Sequence, residues 1–234
     1  IPLVIAGVLL STLHQSSLGS MMLLSGHKLH PLWHSPLLPL IFLISVVGMG
    51  YAAVTLECCI SAKAFKRPQE TPMLRALSVP IAGVLLTYAT VRVAEVVYAG
   101  EMGLVTRMDS YSLLFLTELA LMVGPALGLI LFRRVAGPAF FSAMAVLVVL
   151  GGALYRFSTF LIAYNPGPQW SYFPSWGEFA VTIGFISMEI LGYVVMVKLF
   201  PILRGTAEHG RREGPHPSPV GGHTPGAHPT PQPA

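Results

Sequence analysis

Long apolar runs broken by short polar stretches dominate the chain. Six of the runs approach the roughly 20 residues that carry a helix across a bilayer. They lie at about 2–24, 37–60, 78–99, 111–132, 138–163 and 177–200. The stretches between them, 26–36, 61–75, 100–110, 133–137 and 164–176, collect Pro, Gly and charge, as connecting turns do. The pattern predicts an all-α, polytopic membrane helix bundle over residues 1–203, with six transmembrane helices. From residue 204 the chain turns to Gly, Pro and His. That composition buries no core, so a disordered tail is expected over 204–234.

The first run differs from the others in its middle. Ser11, Thr12, His14, Gln15, Ser16, Ser17 and Ser20 interrupt it between apolar 1–10 and 21–24. On a helix, Ser11, His14 and Ser17/Leu18 share a face at spacings of three and four. Unpaired polar groups in hydrocarbon are costly, so this stripe is predicted to face other helices, a water-filled cavity or a ligand. His14 is the only histidine inside any of the six runs.

Composition agrees with a membrane chain. It is 53% hydrophobic and 10% charged, with a mean hydropathy of +0.67, whereas soluble domains carry roughly 25% charged residues. The chain starts Ile1-Pro2 inside an apolar run, with no positive region before it, so a piece of a longer chain is expected rather than a signal peptide. The net charge of +4 says less than where the charges sit. One alternating set of loops and the tail hold Lys63, Lys66, Arg67, Arg75, Arg133, Arg134, Lys198, Arg204, Arg211 and Arg212; the other set holds only Lys28 and Arg107. The bias predicts both ends of this fragment on the cytoplasmic side of the membrane, with 26–36, 100–110 and 164–176 facing outward. Trp33, Tyr98, Tyr111, Trp170, Tyr172 and Trp176 cluster at that outward boundary, as interfacial aromatics do. Cys58 and Cys59 are adjacent and are expected to be free thiols, since a cluster wants four. The tail histidines His209, His216, His223 and His228 are expected to bind metal adventitiously or not at all, and no internal repeat is evident.

Ionisable groups at membrane depth are expensive and mark sites or ion pairs. Here they are Glu57, Arg92, Glu95, Glu118, Arg156, Glu178 and Glu189. Arg92, Glu95, Glu118 and Arg156 each lie within about two turns of an outward helix end, in one layer. Such a layer reads as a register-fixing ion-pair network, with Arg92 and Glu95 able to pair at i,i+3, or as a polar site or proton path. Glu189, Glu57 and His14 suggest a second relay, because buried acids and imidazole exchange protons readily. A b-type haem in a bundle wants axial ligands such as two histidines on facing helices. With one intramembrane histidine, no haem is expected in this chain.

Several stretches resemble the NrfD/HybB family: Leu10–Ser20 (LSTLHQSSLGS), Lys28–Trp33 (KLHPLW) with Pro36–Pro39 (PLLP), and Tyr155–Phe157 (YRF) leading into Trp170–Trp176 (WSYFPSW). The likeness runs over about 1–203 and is nearest to the HybB type, the nickel–iron hydrogenase membrane subunit labelled a b-type cytochrome. Membrane subunits of sulfite-reductase-associated and polysulfide reductase complexes are near alternatives. The resemblance implies about ten spans in the whole protein, four of them before Ile1. It also implies a bound menaquinone or other quinone as substrate, and no haem. The implied partner is a periplasmic, ferredoxin-like iron–sulfur subunit with the hydrogenase or a related catalytic subunit. Proton movement accompanies electron transfer in the fuller form of this reading. The quinone or proton-relay candidates are His14, Gln15, Ser17, Glu57, Arg92, Glu95, Glu118, Arg156 and Glu189. Outer-loop positions expected to face the partner are His27, His30, Trp33, Trp170 and Tyr172. Two competing readings are a secondary transporter or proton-conducting protein, with the Arg/Glu layer lining its path, and a purely structural anchor for a redox complex. No nucleic acid, metal site or catalytic residue is expected.

Overall fold

A computed structural model describes residues 2–66, 68–167, 172 and 174–200, leaving aside the side chain of Val4. Its helices are α1 (Pro2–Leu24), α2 (Leu38–Ala64), α3 (Thr71–Tyr98), α4 (Met102–Thr106), α5 (Ser110–Phe132), α6 (Pro138–Phe157) and α7 (Trp176–Leu199). A 3-10 turn at Gly26–Lys28 follows α1, and α6 runs on into a π turn at Ser158–Ile162. The protein is an all-α, multi-pass membrane bundle.

Among the described residues, five helical stretches are long and apolar enough to span a bilayer: Leu38–Ala64, Thr71–Tyr98, Ser110–Phe132, Pro138–Ile162 and Trp176–Leu199. The expected count was six. The difference is α1, a 23-residue helix at the expected position. Two other expectations shift. The helix expected over 78–99 starts at Thr71, where Pro72 suits the first turn because its missing N–H would be unpaired there anyway. The helix expected over 37–60 continues to Ala64, carrying Lys63 in its last turn. Asp109 caps α5 by accepting from the Ser112 backbone N–H at 2.8 Å. Ser175 and Glu178 form a reciprocal capping box on α7.

Residues 1–173 and 174–234 form two units. In the first, α2, α3, α5 and α6 close a ring: α2 packs on α3, α3 on α5, α5 on α6 and α6 back on α2. α1 lies outside the ring against α2. Gly19 permits that approach, since a Cβ there would sit 2.7 Å from Pro39 Cα. Phe42, Leu85, Tyr88, Met122, Ala126, Val148 and Tyr155 fill the ring. The loops 25–37 and 99–109 and residues 163–167 share one end of it, here called the upper end. In the second unit, α7 is the described part. The expected tail and Trp170 lie outside the described residues.

Candidate functional site

The centre of the ring's upper half is polar. Arg92 on α3 and Glu118 on α5 are each 1% exposed and meet at 3.5 Å. A bare charge there would be far too costly, so every neighbour matters. Tyr88, one turn before Arg92, donates its hydroxyl proton to Glu118 Oε1 at 2.9 Å. Trp33 descends from the upper loop and donates its indole N–H to Glu118 Oε2 at 3.1 Å. The Arg92 guanidinium donates to the Leu32 carbonyl at 3.3 Å. It lies 5.0 Å from the Phe115 ring centroid and 5.3 Å from that of Tyr155, where cation–π attraction adds to the pairing. Three buried polar atoms nearby have no partner among the described residues: Arg92 Nε, Glu95 Oε2 and the Tyr155 hydroxyl.

Glu95 does not pair with Arg92 at i,i+3. It accepts instead from the Ser35 hydroxyl, which in turn receives the Leu37 backbone N–H at 2.9 Å. The loop thereby closes over the acid. Among the described residues, Arg92–Glu118 is the one ion pair.

The upper loop forms a roof over this cluster. Leu29 and Tyr164 make an antiparallel bridge, and His30 N–H donates to the Ala163 carbonyl at 2.9 Å. The His30 ring stacks on Tyr111 at 4.3 Å and meets Trp33 edge-on at 5.7 Å. His30 Nδ1 accepts the Leu32 backbone N–H at 3.3 Å, which requires that nitrogen to be unprotonated. Burial pushes the His30 pKa below its ordinary 6.5, against the opposing pull of Asp109 and Glu101. Asp109 is itself held below the usual carboxylate range, chiefly by the Ser112 backbone N–H.

Arg156 occupies a different setting. It is half-buried, with no carboxylate beside it among the described residues. Its guanidinium donates to Gly152 O at 3.0 Å, to Gln15 Oε1 on α1 at 3.1 Å and to Met49 Sδ at 3.1 Å, and lies 5.6 Å from the Phe42 ring centroid.

The other predicted positions scatter. His14 and Ser17 are exposed on α1 rather than turned to the described bundle, because the face packed on α2 is that of Gln15, Gly19 and Met22. Glu57 is exposed near the lower end of α2, and no hydrogen bond joins it to His14 among the described residues. Glu189 is exposed on α7. Trp33 is 0% exposed, which corrects the expectation of an interfacial, partner-facing side chain; its N–H is committed to Glu118. His27 and Tyr172 are exposed, and His30 is half-buried under Tyr111. Sequence reasoning missed Tyr88, Ser35, Tyr155 and Met49. Tyr88 carried a signal, since Tyr88 and Arg92 stand four apart on one helix face. A cavity of about 150 Å³ between Cys58, Gln69, Glu70 and Leu74 lies at the opposite end of α2 and α3 from this cluster.

This arrangement of membrane-length helices around a sealed acid–arginine core defines a class, the polytopic α-helical membrane protein. Comparison with known proteins narrows it. The chain is 36% identical over 214 residues to the probable Ni/Fe-hydrogenase 2 b-type cytochrome subunit of Escherichia coli, covering 88% of this chain and 54% of that protein. It is 31% identical over 212 residues to a protein of Nitratidesulfovibrio vulgaris whose name states no function, covering 86% of this chain and 54% of that one. The chain is homologous to these two proteins and spans about half the length of the curated relatives it matches. No family model and no solved structure matches it.

Proposed function

We propose that this chain is part of an integral membrane subunit that passes electrons between an iron–sulfur partner of a hydrogenase-type complex and a quinone in the bilayer. The relative's name supports the complex, and the buried Arg92–Glu118–Tyr88–Trp33 cluster beneath the upper loops is the observation that carries the site. Reduction of a quinone takes two electrons, which the iron–sulfur partner supplies, and two protons. Glu95 beneath the Ser35 loop and Glu118 deeper in the ring are groups able to hold protons. The upper loops, with His27 and Tyr172 exposed, form the partner's face, set outward by the Lys/Arg bias; both ends of the fragment then lie on the cytoplasmic side of the inner membrane.

The relative is named a b-type cytochrome, and the described residues fit haem poorly. His14 is the single histidine on a long helix and is exposed, while His30 is committed to Tyr111 and the Leu32 N–H. No facing pair of imidazoles results. A haem held by this chain alone is therefore not part of the proposal, and a stoichiometric reduced b-type spectrum from this chain would contradict it.

The whole complex in liposomes should reduce a short-chain naphthoquinone with hydrogen as donor, and Glu118→Gln should cut that rate while hydrogen-dependent reduction of a soluble dye persists. Full quinone turnover in Glu118→Gln would favour a second reading, a structural anchor, which the near-complete burial of the Arg92–Glu118 pair makes the natural rival.

A further inference from the structure

The reading above leaves open where a quinone head would sit. We propose that Gln15 and Arg156 form its polar end, outside the ring, in the groove between α1 and α6; this assignment rests on the quinone reading. α1 and α6 both lie against α2 and barely approach each other. The Arg156–Gln15 hydrogen bond spans the gap between them, with the Met49 thioether beside it and the buried Phe42 ring on the inner side of the guanidinium. A convergent pair of polar side chains set among apolar neighbours has the make-up of the polar end of a small-molecule site.

Charge points to the occupant. A guanidinium at membrane depth is kept there by an electron-rich partner. The partners present are neutral: an amide oxygen, a backbone carbonyl and a thioether. A guanidinium has five N–H donors. Both terminal nitrogens of Arg156 have partners; its Nε has none among the described residues and, unlike Nε of Arg92, is not sealed off, so that donor is open to an incoming acceptor. An acceptor oxygen entering the groove completes the set.

Direction separates a quinone from a lipid phosphate. Arg156 lies about 9 Å along the helix from its upper end at Ile162. An arginine serving a headgroup stretches toward the nearer end of its helix. Arg156 instead folds back to Gly152, a turn deeper. Gly152 leaves room for this packing, since a Cβ there would lie 2.3 Å from Met49 Sδ. The acceptor is therefore met inside the apolar layer, where a neutral carbonyl on a lipophilic body is at home and a phosphate is not.

The test uses the complete complex. With a short-chain naphthoquinone, Arg156→Met should raise KM about tenfold with little change in kcat, the loss expected for a charge-assisted hydrogen bond to bound substrate. Arg156→Lys should fall between, and Gln15→Leu should raise KM less. Hydrogen-dependent reduction of a soluble dye should stay unchanged, which reports assembly. In the unmodified complex an azido-naphthoquinone should label residues 11–24 and 149–157. Unchanged KM in assembled Arg156→Met and Gln15→Leu overturns the assignment while the functional reading stands. So does labelling confined to other helices. Competition of labelling by an anionic phospholipid but not by quinone would also overturn it, in favour of a headgroup. A complex that reduces no quinone at all overturns both.

Discussion

Two arginines stand two helices apart in the same half of the bundle and are treated in opposite ways. Arg92 is enclosed: Glu118 faces it, two aromatic rings flank it, and Tyr88 and Trp33 spend their donors on the same carboxylate. Arg156 has only neutral partners and remains partly exposed. The lesson concerns what charge at membrane depth is for. A cation matched by an acid inside the fold organises the fold. A cation left unmatched toward a groove offers its charge to something that arrives.

The sharpest way to break this contrast is to remove the acid. Glu118→Leu leaves Arg92 buried and unpaired and should destabilise the bundle by about 3–5 kcal/mol, read as thermal unfolding in detergent. Adding Arg92→Met should restore most of that loss; if it does not, the pair is not what holds the ring together. Next in size, Tyr88→Phe removes a hydrogen bond to a charged group and should cost about 1.5–3 kcal/mol. Tyr155→Phe removes a hydroxyl without a partner among the described residues and should be nearly neutral by the same measurement. Equal effects would mean that Tyr155 has an unseen partner. Arg156→Met should cost less than Glu118→Leu, because it leaves no buried charge without its partner, despite its larger effect on quinone KM. The smallest effect concerns the roof. Because the fold lowers the His30 pKa, its stabilising contribution is complete above pH 6.5 and is lost as pH falls through the lowered value. His30→Gln should flatten that acid-side loss in a melting-temperature series between pH 7 and pH 4.5.

Much of the class was legible from hydropathy alone, because lipid imposes period and length on every span. The buried ionisable residues were legible too, since charge in an apolar run stands out. Their partners were not. Glu95 was expected beside Arg92 on its own helix, yet it takes a hydrogen bond from Ser35 in a loop. Trp33 looked like an interfacial ring because tryptophan is common at that depth, but the loop folds inward and spends its N–H on Glu118. The polar face of α1 was read as one stripe. Gln15 turns inward while His14 and Ser17 do not, because adjacent helix positions point about 100° apart and Gly19 fixes which side meets α2. Glycines at 19 and 152 were the neglected signal: each marks where a neighbour comes too close for a side chain.

The π turn at the end of α6 has a mechanical consequence. The Ala163 N–H reaches back five residues to the Ser158 carbonyl at 2.7 Å, so one extra residue is wound into that turn. The rows of side chains before and after it are out of phase, like two gears meshed one tooth apart. Below it, Tyr155 points into the ring; above it, the Ala163 carbonyl comes round to receive His30. Cutting out that single tooth would give α6 a straight α-helical pitch and release the clasp that keeps Trp33 seated on Glu118.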